Sequence, residues 1–374
     1  MSTFQLTVSD KYVPNWTYIE GLRELFQNAI DYSAIDPENK MYFEYIEEDE
    51  KLLIGNKKSI LSRESLLFGY STKRGDDRTI GSHGEGYKIA ILVLLREGKE
   101  VTFHNKGVGE VWTTRLLKSK KYNSVIPEIK VTKKVFTKKD IDSNLVIEVA
   151  NITKSEYTDF SDNVLQLRGY GEHIDTTRGK LLLDSDLKGK VFVNGLYVSF
   201  DKDLVYGYDL KPDKIELDRD RRLIADFELT RETSAILGLC GDDTLIAECI
   251  SDKAKDAKWI AEGYTSLFIN NDSSLRDKIV ELRQRDTNHK EYPVSSNEDI
   301  AELDGATGIR PLLVTPYERD ILRESGMFYK PVKEKKTISA RLESWFDRNK
   351  SNLDDSEKSE FLTILSDLKT SEAR

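Results

Sequence analysis

Two groups of residues in this sequence have the types and spacing for chemistry on a phosphate. Glu24, Asn28 and Asp31 lie four and seven residues apart, which at about 100° per residue puts them on one side of a helix, bordered by Glu20 and Gln27. An asparagine oxygen is a hard donor suited to Mg²⁺, and a carboxylate one turn away can orient or deprotonate a water. The same face would also serve as an ordinary solvated helix surface. The second group is Gly81-Ser-His83-Gly84-Glu85-Gly86-Tyr87-Lys88, where a polar stretch ends and an apolar helix begins. Glycines let the backbone come close to a ligand, and the N–H groups of a helix start attract phosphate. Lys88 adds a cation in the first turn. No strand directly precedes these glycines, so neither the dinucleotide-binding nor the Walker arrangement fits.

The elements that would carry these groups follow from periodicity. Over Trp16–Ser33, Tyr18, Leu22, Leu25, Phe26 and Ala29 recur at helical spacing, which predicts an amphipathic helix. Met41–Glu47 and Lys51–Ile54 read as a strand pair across the acidic turn Glu48-Asp49-Glu50. The polar stretch Ser62–Gly86 runs into the helix Tyr87–Arg96, and strands follow at Val101–Asn105, Val108–Thr114, Glu128–Phe136 and Leu145–Ala150. Helix, hairpin, loop-helix and a run of strands predict an α+β sandwich rather than a doubly wound βαβ fold.

Taken together, these residues resemble the GHKL superfamily of gyrase, the large heat-shock chaperone, histidine kinases and MutL. Glu24-Leu-Phe-Gln-Asn28-Ala-Ile-Asp31 looks like the family's N-box. Gly69-Tyr-Ser71-Thr-Lys73, followed by Ile80-Gly81-Ser-His83-Gly84-Glu85-Gly86-Tyr87-Lys88, is similar to its lid and second glycine box. The resemblance covers about residues 10–150. It implies a Bergerat-type α/β sandwich with a mixed, mainly antiparallel sheet that binds ATP and Mg²⁺. By it, Glu24 activates water, Asn28 ligates the metal, and Lys88 stabilises phosphate charge. Asp31, Ser71, Lys73, Gly81, His83, Gly84, Glu85, Gly86 and Tyr87 complete the expected nucleotide site. Where the family places Asp-x-Gly-x-Gly this chain has Gly55-Asn56-Lys-Lys-Ser59, so Asn56 is the nearest polar substitute for the base-reading aspartate. Ser143 or Asn144 stands where a Gly-Thr pair is expected. Lys214, Arg219 or Arg221 is placed to reach back to the γ-phosphate, or to form a salt-bridged surface turn.

The expected organisation is a nucleotide domain over 1–184, a transducer-like region over 185–240, and a mainly helical region over 241–374. Val191–Phe200 reads as a hairpin with a type I′ Asn194-Gly195 turn, and Leu223–Leu239 and Asp243–Glu262 read as helices. Gly308–Val314 is a short apolar run, Thr315-Pro316-Tyr317-Glu318 opens a helix with a capping box, and Leu353–Leu368 is an amphipathic tail helix. The formal charge of −9 argues against a general nucleic-acid surface, although Lys118–Lys121 and Lys133–Lys139 could make a local patch. There is no apolar run of 18 or more residues and no signal-peptide pattern, and Cys240 and Cys249 have no zinc or redox spacing, so a cytoplasmic protein with reduced cysteines is expected. None of the four histidines precedes the nucleotide region on a dimerisation helix, which excludes a histidine kinase. The expected function is an ATPase switch acting through a homodimer or protein partner. The alternative is a nucleotide-gated binding module with little or no hydrolysis.

Overall fold

A computed structural model of the chain describes residues 2–67, 85–137, 144–215, 217, 226–265, 268–269, 272–286, 291–303, 308–328 and 338–372. The chain divides into two compact units, Met1–Ile236 and Leu237–Arg374.

The first unit opens with strand β1 (Ser2–Gln5) and helix α1 (Tyr18–Ile35). Thr17 caps α1 in a capping box: its hydroxyl accepts from the Ile19 N–H, while the Glu20 carboxylate accepts from the Thr17 N–H at 2.7 Å. Such a cap satisfies orphan donors of the first turn and is worth about 1 kcal/mol. The hairpin β2 (Met41–Ile46) and β3 (Lys51–Asn56) closes through Glu50, whose φ of 49° is left-handed. Helix α2 (Gly86–Arg96) leads to β4 (Glu100–Asn105), β5 (Glu110–Ser119), β6 (Ser124–Lys133) and β7 (Leu145–Ala150).

These seven strands form one antiparallel sheet in the order β1-β6-β5-β4-β7-β3-β2. Alternation along β3 turns Leu52, Ile54 and Asn56 to one face, where all three are buried. On that side the core brings Leu22, Leu25, Phe26 and Ala29 of α1 together with Ala90, Ile91, Leu92 and Leu94 of α2. Phe26 meets Phe43 and Phe160 edge to face, with ring centroids at 5.2 and 5.8 Å. Each such fully buried side chain contributes about 1.5–3 kcal/mol. This is the α+β architecture expected from the order of elements. The strand β1 was not foreseen.

Helices α3 (Lys154–Ser161) and α4 (Leu165–Arg168) lead to β8 (His173–Asp175), β9 (Gly179–Leu182), β10 (Lys190–Val193), β11 (Leu196–Phe200) and β12 (Gly207–Leu210). These strands pair in the order β11-β10-β12-β9-β8, with β10 and β12 parallel. Asn194 and Gly195 join β10 to β11 with φ of 51° and 78°, both positive as a type I′ turn demands. Helix α5 (Asp226–Gly238) is tied to the turn before β9 by Arg178, whose guanidinium donates to both oxygens of the buried Glu232 at 2.8 and 2.6 Å.

In the second unit the expected helix Asp243–Glu262 is broken. It forms α6 (Asp243–Ser251) and α7 (Lys258–Ala261), interrupted at Lys253, whose φ is 55°. Helix α8 (Ser273–Asp286), strand β13 (Glu291–Val294) and helix α9 (Asn297–Ala301) follow. Strand β14 (Arg310–Leu313) pairs in parallel with β13, and α10 (Pro316–Glu324) starts at the Thr315 capping box. The last pair is α11 (Ile338–Asn349) and α12 (Asp355–Glu372), which stack Trp345 and Phe346 on Phe361 at 5.4 and 4.8 Å. Among the described residues, no helix is long and apolar enough to cross a membrane.

Candidate functional site

Helix α1 presents Glu24, Gln27 and Asp31 on its polar side, and all three are buried. Because this face is covered, it is not the solvated surface that its composition would equally allow. Asn28 is held by its amide nitrogen, which donates to the Glu24 carbonyl at 2.8 Å. The oxygen of that amide is the atom with metal-ligand chemistry.

The start of α2 comes against this pair. A Cβ built on Gly86 would lie 2.7 Å from Glu24 Oε2 and 3.1 Å from Asn28 Nδ2. A side chain at this position would have to push the Glu24 carboxylate aside, and the Gly86 backbone N–H belongs to the first turn of a helix, where donors have no partner within the helix. Glu85 occupies the N-cap position and makes no side-chain cap. Two residues on, Lys88 is almost fully buried. Burial pulls its ammonium down to about 8, against the opposing charge of Glu85. Tyr87 stands beside Tyr32 and Asp31; burial first, then these two neighbours, holds its hydroxyl neutral well beyond the usual tyrosine range.

Asn56 ends β3 and staples the sheet to α1. Its amide nitrogen donates to the Ala29 carbonyl at 2.8 Å and lies 3.2 Å from Ser33 Oγ. Its side-chain oxygen is buried and has no hydrogen-bond partner among the described residues.

The loop leaving β3 is clamped by two asparagines that sequence analysis did not single out. Asn39 accepts from the Lys58 and Ser59 N–H groups at 2.6 and 3.1 Å. Asn105 exchanges two bonds with Leu61, at 2.8 and 3.2 Å. The segment before α1 is held by Arg96, which donates to the carbonyls of Asp10, Tyr12, Val13 and Trp16 at 2.7–3.1 Å. An arginine ending an otherwise apolar helix was the only local hint of that anchor.

Glu24, Asn28 and Gly86 are therefore brought together; Tyr87 stands beside Asp31, and Glu85 beside Lys88 in the first turn of α2. Ser71, Lys73, Gly81, His83, Gly84 and Ser143 lie outside the described residues, as do Arg219 and Arg221. Asn144 donates its N–H to the Lys57 carbonyl at 2.9 Å, joining the start of β7 to the loop after β3. Lys214 is paired with its neighbour Asp213.

No family model matches the chain. An uncharacterised protein of Mycoplasma pneumoniae is 27% identical over 222 residues, which is 56% of this chain and 87% of that protein. Among solved structures, the chain is similar to the ATPase region of Saccharomyces cerevisiae topoisomerase II bound to ICRF-187 (dexrazoxane), at 14% identity and a TM-score of 0.32. The same region in a second structure gives 0.29, and the ATPase and transducer domains of Balamuthia mandrillaris topoisomerase II give 0.27, both at 14% identity. Each likeness covers 48% of this chain and 59–62% of the solved chain, so the chain spans about three fifths of their length.

Proposed function

We propose that the first unit binds Mg-ATP between α1 and α2 as a GHKL-type ATPase, and that ATP turnover switches a dimer or a protein partner. The observation that carries this is the approach of Gly86 to Glu24 and Asn28. It supports a site where the first turn of α2 offers backbone donors to phosphate directly beside a carboxylate and a hard oxygen ligand.

Each residue has a role its chemistry supports. Asn28 would hold Mg²⁺ through its side-chain oxygen, its nitrogen being committed to α1. The metal, when bound, would supply neutralisation of phosphate charge. Glu24 would orient and deprotonate the attacking water, and Lys88, still mainly protonated at neutral pH, would stabilise charge on the transferred phosphoryl group. The buried Asn56 oxygen is an acceptor. It suits the exocyclic amino group of adenine and would repel the carbonyl of guanine. The Ser62–Gly86 stretch would serve as the lid over the phosphates, with Ser71, Lys73, Gly81 and His83 as its contacts, and Ser143 would lie near the base.

Calorimetry with ATP and GTP, with and without Mg²⁺, tests this. The expected result is Mg²⁺-dependent binding with ATP preferred. Folded protein that binds no adenine nucleotide would overturn the proposal, whereas binding without turnover would leave a nucleotide-gated binding module.

A further inference from the structure

The lysines of residues 118–121 have no role in the nucleotide site proposed above, and the fold sets them at the end of a two-stranded ribbon. Strands β5 and β6 pair without a break from Glu110 and Lys133 to Ser119 and Ser124. On the other side of β5, β4 pairs no further than Thr113. Among the described residues, no strand flanks residues 115–119 on that side. The ribbon closes through Asn123, whose φ of 47° is left-handed.

The ribbon end is pinned to the start of the chain. The Asp10 N–H donates to the Val125 carbonyl at 3.0 Å, and the Ser9 and Ser124 hydroxyls lie 3.0 Å apart. Val125 is the register partner of Lys118, so Lys11 arrives at the same end as Lys118, Lys120 and Lys121. All four lysines are exposed, and none forms an ion pair among the described residues. Arg115, the next cation along β5, is tied to Glu128 at 2.7 Å and adds no net charge. Asp10, which accepts from the Ser9 hydroxyl, offsets one of the four lysines. The tip is therefore basic in a chain whose formal charge is −9.

Lys118 and Lys120 flank the buried Ser119 and so share the outer side of the strand end. At 3.4 Å per residue they stand about 7 Å apart. A row of ammonium groups suits a chain of phosphates, where each contact releases condensed counterions. Tyr122 adds a second kind of contact. The Lys121 Nζ lies over its ring, 5.0 Å from the centroid, yet the residue stays 45% exposed. An aromatic ring beside lysines gives an unpaired base a face to stack on, and such stacking accepts any base. Bases in a duplex are already stacked on one another and cannot use it. A membrane surface would call for bulky apolar side chains at the tip, and residues 118–123 supply Tyr122 alone.

We infer that the β5–β6 tip binds single-stranded nucleic acid without base preference. Lys11, Lys118, Lys120 and Lys121 meet the phosphates, and Tyr122 stacks on a base.

The test titrates the full chain into a labelled oligothymidylate of about 20 nucleotides, read by fluorescence anisotropy. The matching duplex, phosphatidylserine vesicles and Mg-ATP serve as competitors. Kd should be about 1–100 μM at low salt, with a log–log salt slope of about −2 to −3 from three or four phosphate contacts. Lys118→Glu, Lys120→Glu and Lys121→Glu combined should weaken binding about tenfold or more, and Tyr122→Ala about fivefold or more. Both variants should melt like the wild type and keep their ATP affinity. If the triple variant does not fold, Tyr122→Ala decides by itself. No binding to folded wild-type protein, or wild-type affinity in either folded variant, would overturn the inference. So would equal competition by the duplex, displacement by vesicles, or displacement by Mg-ATP, which would place the oligonucleotide in the nucleotide site. ATP affinity is measured separately, so failure here is distinguishable from failure of that site.

Discussion

Gly86 stands against Glu24 with no room for a side chain between them, since a Cβ would sit 2.7 Å from the carboxylate oxygen. The atom in the way is the end of a side chain rather than backbone. Gly86→Ala should therefore displace Glu24 and leave the fold intact. Turnover should fall about ten- to a hundredfold, because a misplaced catalytic group costs that much, while stability changes by less than about 1 kcal/mol. Steady-state ATPase rates beside a melting curve check this, and unchanged turnover would remove Gly86 from the site.

Glu24→Ala and Asn28→Ala should separate rate from binding. Loss of a general base commonly costs about 10²–10⁴-fold in rate, so Glu24→Ala should keep ATP and lose most turnover. Asn28→Ala should weaken Mg-ATP and leave Mg²⁺-free binding nearly unchanged. Two variants that both behave like the wild type would show that this helix face is structural.

Lys88 makes the site sensitive to pH. Its ammonium titrates at about 8 in the folded protein, against 10.5 for an ordinary lysine. Between these values the unfolded chain holds a proton that the folded chain has released, so this group makes stability rise with pH across about 8 to 10.5. ATP favours the charged form, so binding above pH 8 should take up a proton and weaken as pH rises. Calorimetry at pH 8.5 in buffers of different ionisation enthalpy measures that uptake. Lys88→Arg, which stays charged, should abolish it.

Asn56 has two separable jobs. Its nitrogen ties β3 to the Ala29 carbonyl, and its oxygen is the buried acceptor. Asn56→Ala should cost about 1–3 kcal/mol in denaturant unfolding, as loss of a buried hydrogen bond does, and should erase any preference for ATP over GTP. Retained selectivity would move base recognition elsewhere.

The last helix packs on its own chain. Phe361 stacks on Trp345 and Phe346, and Lys369 pairs with Glu343 of α11, although Leu362 and Ile364 of the tail stay exposed. Truncation after Lys350 should lower the melting temperature or the solubility, at about 25 cal/mol for each Å² of apolar surface uncovered, without changing ATP affinity. A truncated protein that melts normally but scatters light as a smaller assembly would instead make α12 a docking helix.

What the sequence determined by itself was local. That Glu24, Asn28 and Asp31 share a face follows from the helical period, and the Asn194-Gly195 turn and the Thr315 capping box follow from which residues tolerate those backbones. The strand β1 left no such mark, because four residues are too short for a periodic signal and its partner β6 lies far along the chain. The break at Lys253 was hidden for a related reason: an apolar period continues across it and carries no record of the turn. Only the tertiary structure decided which elements meet. Gly86 against Glu24, Asn56 on Ala29, and Arg96 gathering four carbonyls are all pairings between distant segments. Periodicity tells a helix or strand which side to bury, but the partner is chosen by packing and by the need to satisfy every buried polar group, and both are properties of the assembled core.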